Sequence, residues 1–231
     1  MRKSLSIIFL VGITVLIFSG CKGEANYGAE YLPLFTSSKQ EVFDTLGLSE
    51  EDVTLSRPDR PDLNSYRLTD TKQIHGLDFT VGLLFTGEAE PETNFPYPPD
   101  VLWEAGFFRK VEIPDATEED FLVAEKLRED MIKQYGEPTD HPWHVRAPFS
   151  DLESIFDIRD KKSWLALEWW DIPVPEEWKD RMDPARYYLE AVLSVERYGD
   201  TCTTTLKFMI SLTEEELQRQ AQTHGESDRN Q

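Results

Sequence analysis

Apolar and polar residues alternate with a period of two in five long stretches of this chain, and that pattern restricts its fold more than any other feature. Leu77, Phe79, Val81, Leu83 and Phe85 fall on one face of a run from 77 to 87, with Thr80, Gly82 and Thr86 on the other. The run from Trp103 to Ile113 repeats this, with Phe107, Val111 and Ile113 separated by Arg109 and flanked by Lys110 and Glu112. Later, Leu165, Leu167 and Trp169 share a face. So do Leu189, Ala191, Leu193 and Val195, and likewise Leu206, Phe208, Ile210 and Leu212. Successive side chains of a strand point to opposite faces, so these runs read as half-buried strands at 164–172, 187–198 and 203–212, with a shorter one at 154–158. The connection 88–100 carries four prolines and two aromatics and reads as a long hairpin loop.

Two helices interrupt the alternation. Ser38-Lys39-Gln40-Glu41 has the spacing of a capping box, Val42, Phe43 and Leu46 supply a short stripe, and Gly47 is a left-handed stop. Helix one therefore runs over 39–46. Acidic residues from Asp115 to Asp120 suit the positive end of a second helix, whose stripe is Phe121, Ala124, Leu127, Met131 and Tyr135. Gly136 and Pro138 end it. A short helix is expected over 176–182, between Pro175 and Pro184. The predicted fold is α+β: antiparallel sheet with helices packed on one side, as two tandem α-then-β units at 34–113 and 114–213, followed by a polar tail at 214–231 that opens with a last helical turn.

Composition narrows the class of function. The chain has 231 residues with a formal charge of −20, and 39% apolar residues suffice for a core. Binding to nucleic acid is not expected, because a phosphate-tracking surface needs a positive field and no Lys/Arg cluster supplies one. Electrostatic docking on anionic lipid is disfavoured for the same reason.

The first 20 residues form a separate segment. Met1-Arg2-Lys3, an apolar run from Leu5 to Phe18, then Ser19-Gly20-Cys21 make the three-part pattern of a secretory signal, too short for a spanning helix. This ending resembles the lipobox of bacterial lipoproteins, with Phe18 where the family usually has Leu. The resemblance implies that Cys21 is acylated and becomes the new N-terminus. The mature chain would then start at Cys21 and carry 22 basic against 44 acidic side chains, on the extracytoplasmic face of a bacterial membrane. Residues 21–33 read as a tether. In outline the two α-then-β units are similar to BamE and β-lactamase-inhibitor-protein modules, a resemblance that implies binding to other proteins.

Few residues suggest chemistry. His141 and His144 sit three apart with Pro142 between them, which does not match helical metal-ligand spacing, and no cofactor or metal is expected. Cys202 shares parity with Thr204, Leu206 and Phe208 and reads as a buried, inert thiol. No phosphate loop, nucleophile elbow or nucleotide fingerprint is present, so no residue is assigned to catalysis. Aromatics crowd into 164–198, where Trp169 and Trp170 must point to opposite faces. Either Trp164 and Trp170 complete the core, or Trp164, Glu168, Trp170 and Tyr188 form an exposed aromatic and acidic surface, with a second patch at Phe95, Tyr97 and Trp103.

The leading functional expectation is a non-catalytic envelope lipoprotein binding a protein partner or envelope polymer. A carbohydrate- or cation-binding module using the aromatic strand is the alternative, and a carboxylate-dependent hydrolase of wall polymer the second.

Overall fold

A computed structural model of the chain describes residues 26–56, 64–87, 100–140, 163–174, 178 and 182–219; side chains at 163 and 164 lie outside that description. Helix α1 spans Lys39–Leu46, followed by strands β1 Val53–Leu55, β2 Asn64–Ile74, β3 Leu77–Phe85 and β4 Leu102–Glu112. Helix α2 spans Glu118–Tyr135, and strands β5 Ser163–Ile172, β6 Tyr187–Tyr198 and β7 Thr201–Leu212 follow. All seven strands form one antiparallel sheet in the order β1-β2-β3-β4-β7-β6-β5.

This order joins the two units expected of the sequence edge to edge. Each unit is a helix and a run of antiparallel strands, and the last strand of the first unit, β4, pairs with the last strand of the second, β7. Phe107 stands opposite Leu206, and Leu206 opposite Leu193, so the apolar faces of both units are continuous. They enclose one core, whose fully buried side chains include Phe79, Phe107, Leu127, Trp170 and Phe208.

Both helices cover the same side of the sheet. The capping box of α1 forms as expected: the Ser38 hydroxyl accepts from the Glu41 amide, and the Glu41 carboxylate accepts from the Ser38 amide at 2.9 Å. Gly47, at φ 67°, closes the helix in the left-handed region open to glycine. Phe43 then meets the rings of Tyr66 and Phe85 edge-on at 5.8 and 6.1 Å. Helix α2 buries Phe121, Val123, Ala124, Leu127 and Met131.

Several expectations need adjustment. Within the tether expected at 21–33, the chain packs on the domain from Tyr27 onward: Tyr31 is buried, Leu32 and Pro33 enter a 3-10 helix that ends at Leu34, and Gly28 lies against Leu32 and Phe208. Their apolar side chains give that segment a place in the core. Strands β1 and β2 were not anticipated, since β2 is mostly exposed and its register shifts between Arg67 and Thr71, breaking the alternation. Only Trp178 and Met182 of the expected helix at 176–182 are described. Both are buried, and the Met182 amide donates to the Trp178 carbonyl at 2.9 Å. The helical turn expected at the start of the tail is present at 214–219, held by buried Glu216 paired with Arg186 and Arg219. The strand expected at 154–158 lies outside the described residues.

Candidate functional site

Among the described side chains of the aromatic strand, Trp170 and Glu168 do not belong to an exposed platform. Trp170 is fully buried, its Nε1 donating to the Gly136 carbonyl at 3.0 Å at the end of α2. Glu168 is 1% exposed and accepts from Arg128 Nε at 2.6 Å. Register assigns Trp170 and Glu168, opposite Ala191 and Leu193, to the helix-covered face. Tyr188, opposite Ser211, belongs to the other face and donates to Glu190 at 3.2 Å. The three side chains are thus divided between the two faces of the sheet. Trp164 pairs with Arg197 in the ladder, but its side chain is outside the description; Phe95, Tyr97, His141, His144 and Cys21 are outside the described residues altogether. Trp103 is half-buried against the core.

Burial accounts for the other titratable groups singled out. The Cys202 thiol is pushed up to about 11, so it is protonated and unreactive at neutral pH. Burial, then the charge of Glu190, pushes the Tyr188 phenol well above its ordinary value. Among the described residues no group of three or more His, Cys, Asp or Glu side chains could hold a metal ion, and no helix is long and apolar enough to cross a membrane.

The sheet's second face offers a different site. One cross-strand row runs Arg67, Gly82, Gly106, Lys207, Val192, Trp169, from β2 through β3, β4, β7 and β6 to β5. At the β5–β6 end this row is buried, at Trp169 and Val192. In its middle the two paired glycines carry no side chain, and the surface sinks into a groove of about 270 Å³.

Each wall has a physical reason. Phe108 leans over Gly82, where an added Cβ would stand 3.1 Å from its Cε1, so the ring shields the strand backbone that glycine leaves bare. The Arg67 guanidinium lies 5.1 Å from the Phe108 ring centre, a cation–π contact. Across the groove, Lys207 Nζ is 2.9 Å from Glu104 Oε2. Gly106 admits no larger residue in place: an added Cβ would come within 2.8 Å of Lys207 Cβ and 3.2 Å of the Leu206 carbonyl oxygen. Ser56, Ser65, Thr203 and Thr205 complete the lining with hydroxyls.

The groove is also an electrostatic exception. On a chain of charge −20, its lining carries Arg67 and Lys207 against Glu104. Sequence reading missed this site because its residues come from four strands. The only local signal was Gly82 among the polar positions of its strand, and nothing in the sequence pairs it with Gly106.

Comparison of the chain with protein-family models, with curated proteins and with solved structures finds no match.

Proposed function

We propose that the protein is a membrane-anchored, extracytoplasmic lipoprotein whose folded domain is non-catalytic and binds a protein partner through the groove on the second face of its sheet. The observation that carries the binding reading is the groove at Gly82 and Gly106. A central depression with an aromatic wall, two long cationic side chains and a rim of hydroxyls has the composition of a contact surface with an anchor pocket. Arg67 and Lys207 favour a partner that presents carboxylates there. Burial takes Trp170 and Glu168, two of the four residues of the aromatic-strand alternative, away from any contact surface. An envelope glycan is the second reading, favoured by the Phe108 ring among Ser65, Thr203 and Thr205, since sugar rings stack on aromatics and bond to hydroxyls. The anchoring half rests on the lipobox-like ending at Cys21.

Two variants test the two halves. Cys21→Ala is expected to block N-terminal processing or to move the protein from the membrane to the soluble fraction; unchanged processing and unchanged detergent partitioning would remove the anchor. Thr205→Arg fills the groove from a half-exposed strand position. In pull-downs from solubilised membranes, a species retained by wild type should be lost from this variant at equal melting temperature. Retention by both would move binding away from this face. Loss of a glycan with no loss of protein would select the second reading.

A further inference from the structure

Near the start of the described residues, Tyr27 is held by two elements of the fold. Its hydroxyl donates to Asp130 Oδ2 of α2 at 2.7 Å and lies 3.1 Å from His75 Nε2, in the turn between β2 and β3. His75 Nε2 is itself 2.8 Å from the same carboxylate oxygen, and Lys133 Nζ is 3.6 Å from Asp130 Oδ1. The Tyr27 ring stands edge-on to Phe107 at 6.3 Å, and Tyr31 does the same at 5.7 Å. From Tyr27 onward the segment is therefore held by hydrogen bonds and by the core.

Only residues 22–26 separate this clamp from Cys21. Six Cα-to-Cα steps span at most roughly 20–22 Å even when fully extended. The side on which the clamp sits is also determined. Tyr27 and Tyr31 pack on Phe107, and Gly28 lies against Phe208, both on the helix-covered face. The groove residues Thr205 and Lys207 alternate with Leu206 and Phe208 on the same strand, so they project from the opposite face.

We propose that the bilayer faces the helical side of the domain and that the groove faces away from it. This rests on the reading of Cys21 as the acylated residue. A tether of at most about 20 Å, leaving from the helical side, keeps that side nearest the lipid. The exposed residues of α2 are largely acidic, Glu118, Glu119, Glu125 and Glu129 against Lys133, and anionic headgroups repel them. That repulsion fades over about 10 Å, so the helix surface stands off by about one screening length, within the tether's reach. The short anchor sets which side faces the membrane, and the acidic helix keeps that side from lying flat on it.

The test uses the full acylated protein purified from membranes, in vesicles of phosphatidylcholine with a minor share of phosphatidylglycerol and a lipid-borne energy-transfer acceptor. A donor dye is placed on Lys133→Cys or on Thr203→Cys, with Glu125→Cys as a second helix-side position. Buried Cys202 does not compete for the dye. Transfer is expected to be about 1.5-fold or more higher from the helix side, because two packed layers about 10 Å apart separate the positions. Inserting about ten Gly/Ser residues after Gly23 should bring the ratio towards one at unchanged melting temperature. Equal transfer from both sides with the natural tether, or higher transfer from position 203, would overturn the orientation. Protein that does not float with the vesicles would overturn the anchoring reading, and the orientation with it.

Discussion

Four carboxylates are buried among the described residues, Asp120, Glu168, Glu190 and Glu216, and each has donors arranged around it. Glu216 accepts from Arg186 and Arg219, and Glu190 from Tyr188 and Ser211. Burial raises the Asp120 carboxyl, but hydrogen bonds from the Thr117 amide and hydroxyl, each 2.8 Å, and from Arg109 outweigh it and hold the group below its usual range. A depressed carboxyl contributes stability above its unfolded pKa, near 4, and loses it as pH falls through the folded value. Asp120→Asn should therefore flatten the fall in melting temperature between about pH 4 and pH 2 relative to wild type. An unchanged slope would show that Asp120 contributes nothing to acid unfolding. For Glu168, Arg128→Ala removes its guanidinium partner and should cost about 3 kcal/mol in denaturant melts, whereas Arg128→Met with Glu168→Leu should cost less than the single change. Trp170→Ala should lose about 3–5 kcal/mol, as a buried indole does; a shift of only a degree or two would place it on the surface. Sequence parity placed Cys202 on the core side because alternation is local. The same parity separated Trp169 from Trp170, but the side covered by helix depends on strands distant in sequence.

Elements with local signals were legible in the sequence. Helix α1 occupies the residues marked by Ser38, Glu41 and Gly47, because a capping box and a left-handed stop are satisfied within a few residues of chain. Helix α2 starts at Glu118 and ends at Tyr135, where the acidic first turn and Gly136 put its ends. Thr117→Ala should destabilise the protein by about 1 kcal/mol by removing the hydroxyl that donates to buried Asp120 at 2.8 Å. Strand β2 was not legible: at the sheet margin it has little apolar face, and its turn is His75-Gly76, with φ 48° and 83°. Two successive positive φ angles suit the right-handed twist of a tight hairpin, but histidine there signals it weakly. The groove was invisible for a related reason, since a cross-strand row belongs to the register and not to any single strand. Gly106→Ala should cost about 1–3 kcal/mol, because its Cβ would press on Lys207 and on backbone that cannot retreat. A neutral effect in thermal melts would mean that β4 and β7 can part locally.

At the scale of the whole molecule, the repeat of α-then-β units meets at the β4–β7 seam. Phe107 and Ala105 on one side oppose Leu206 and Phe208 on the other, so each half alone would expose a long strand edge and half a core. Expressed separately, residues 27–113 and 114–219 are expected to show no cooperative thermal transition, whereas the intact chain melts as one unit; a cooperative melt from either half would establish independent domains. The sequence alone determined which segments become the two helices and the main apolar strands, and which side chains of each such strand share a face, because capping, helical periodicity and alternation act over a few residues. Tertiary structure decided that the two units fuse edge to edge, that the aromatic strand turns Trp170 inward, and that two glycines 24 positions apart meet to form the groove. Those outcomes depend on hydrogen-bond register between strands far apart in the chain, for which no stretch of sequence carries a local signal.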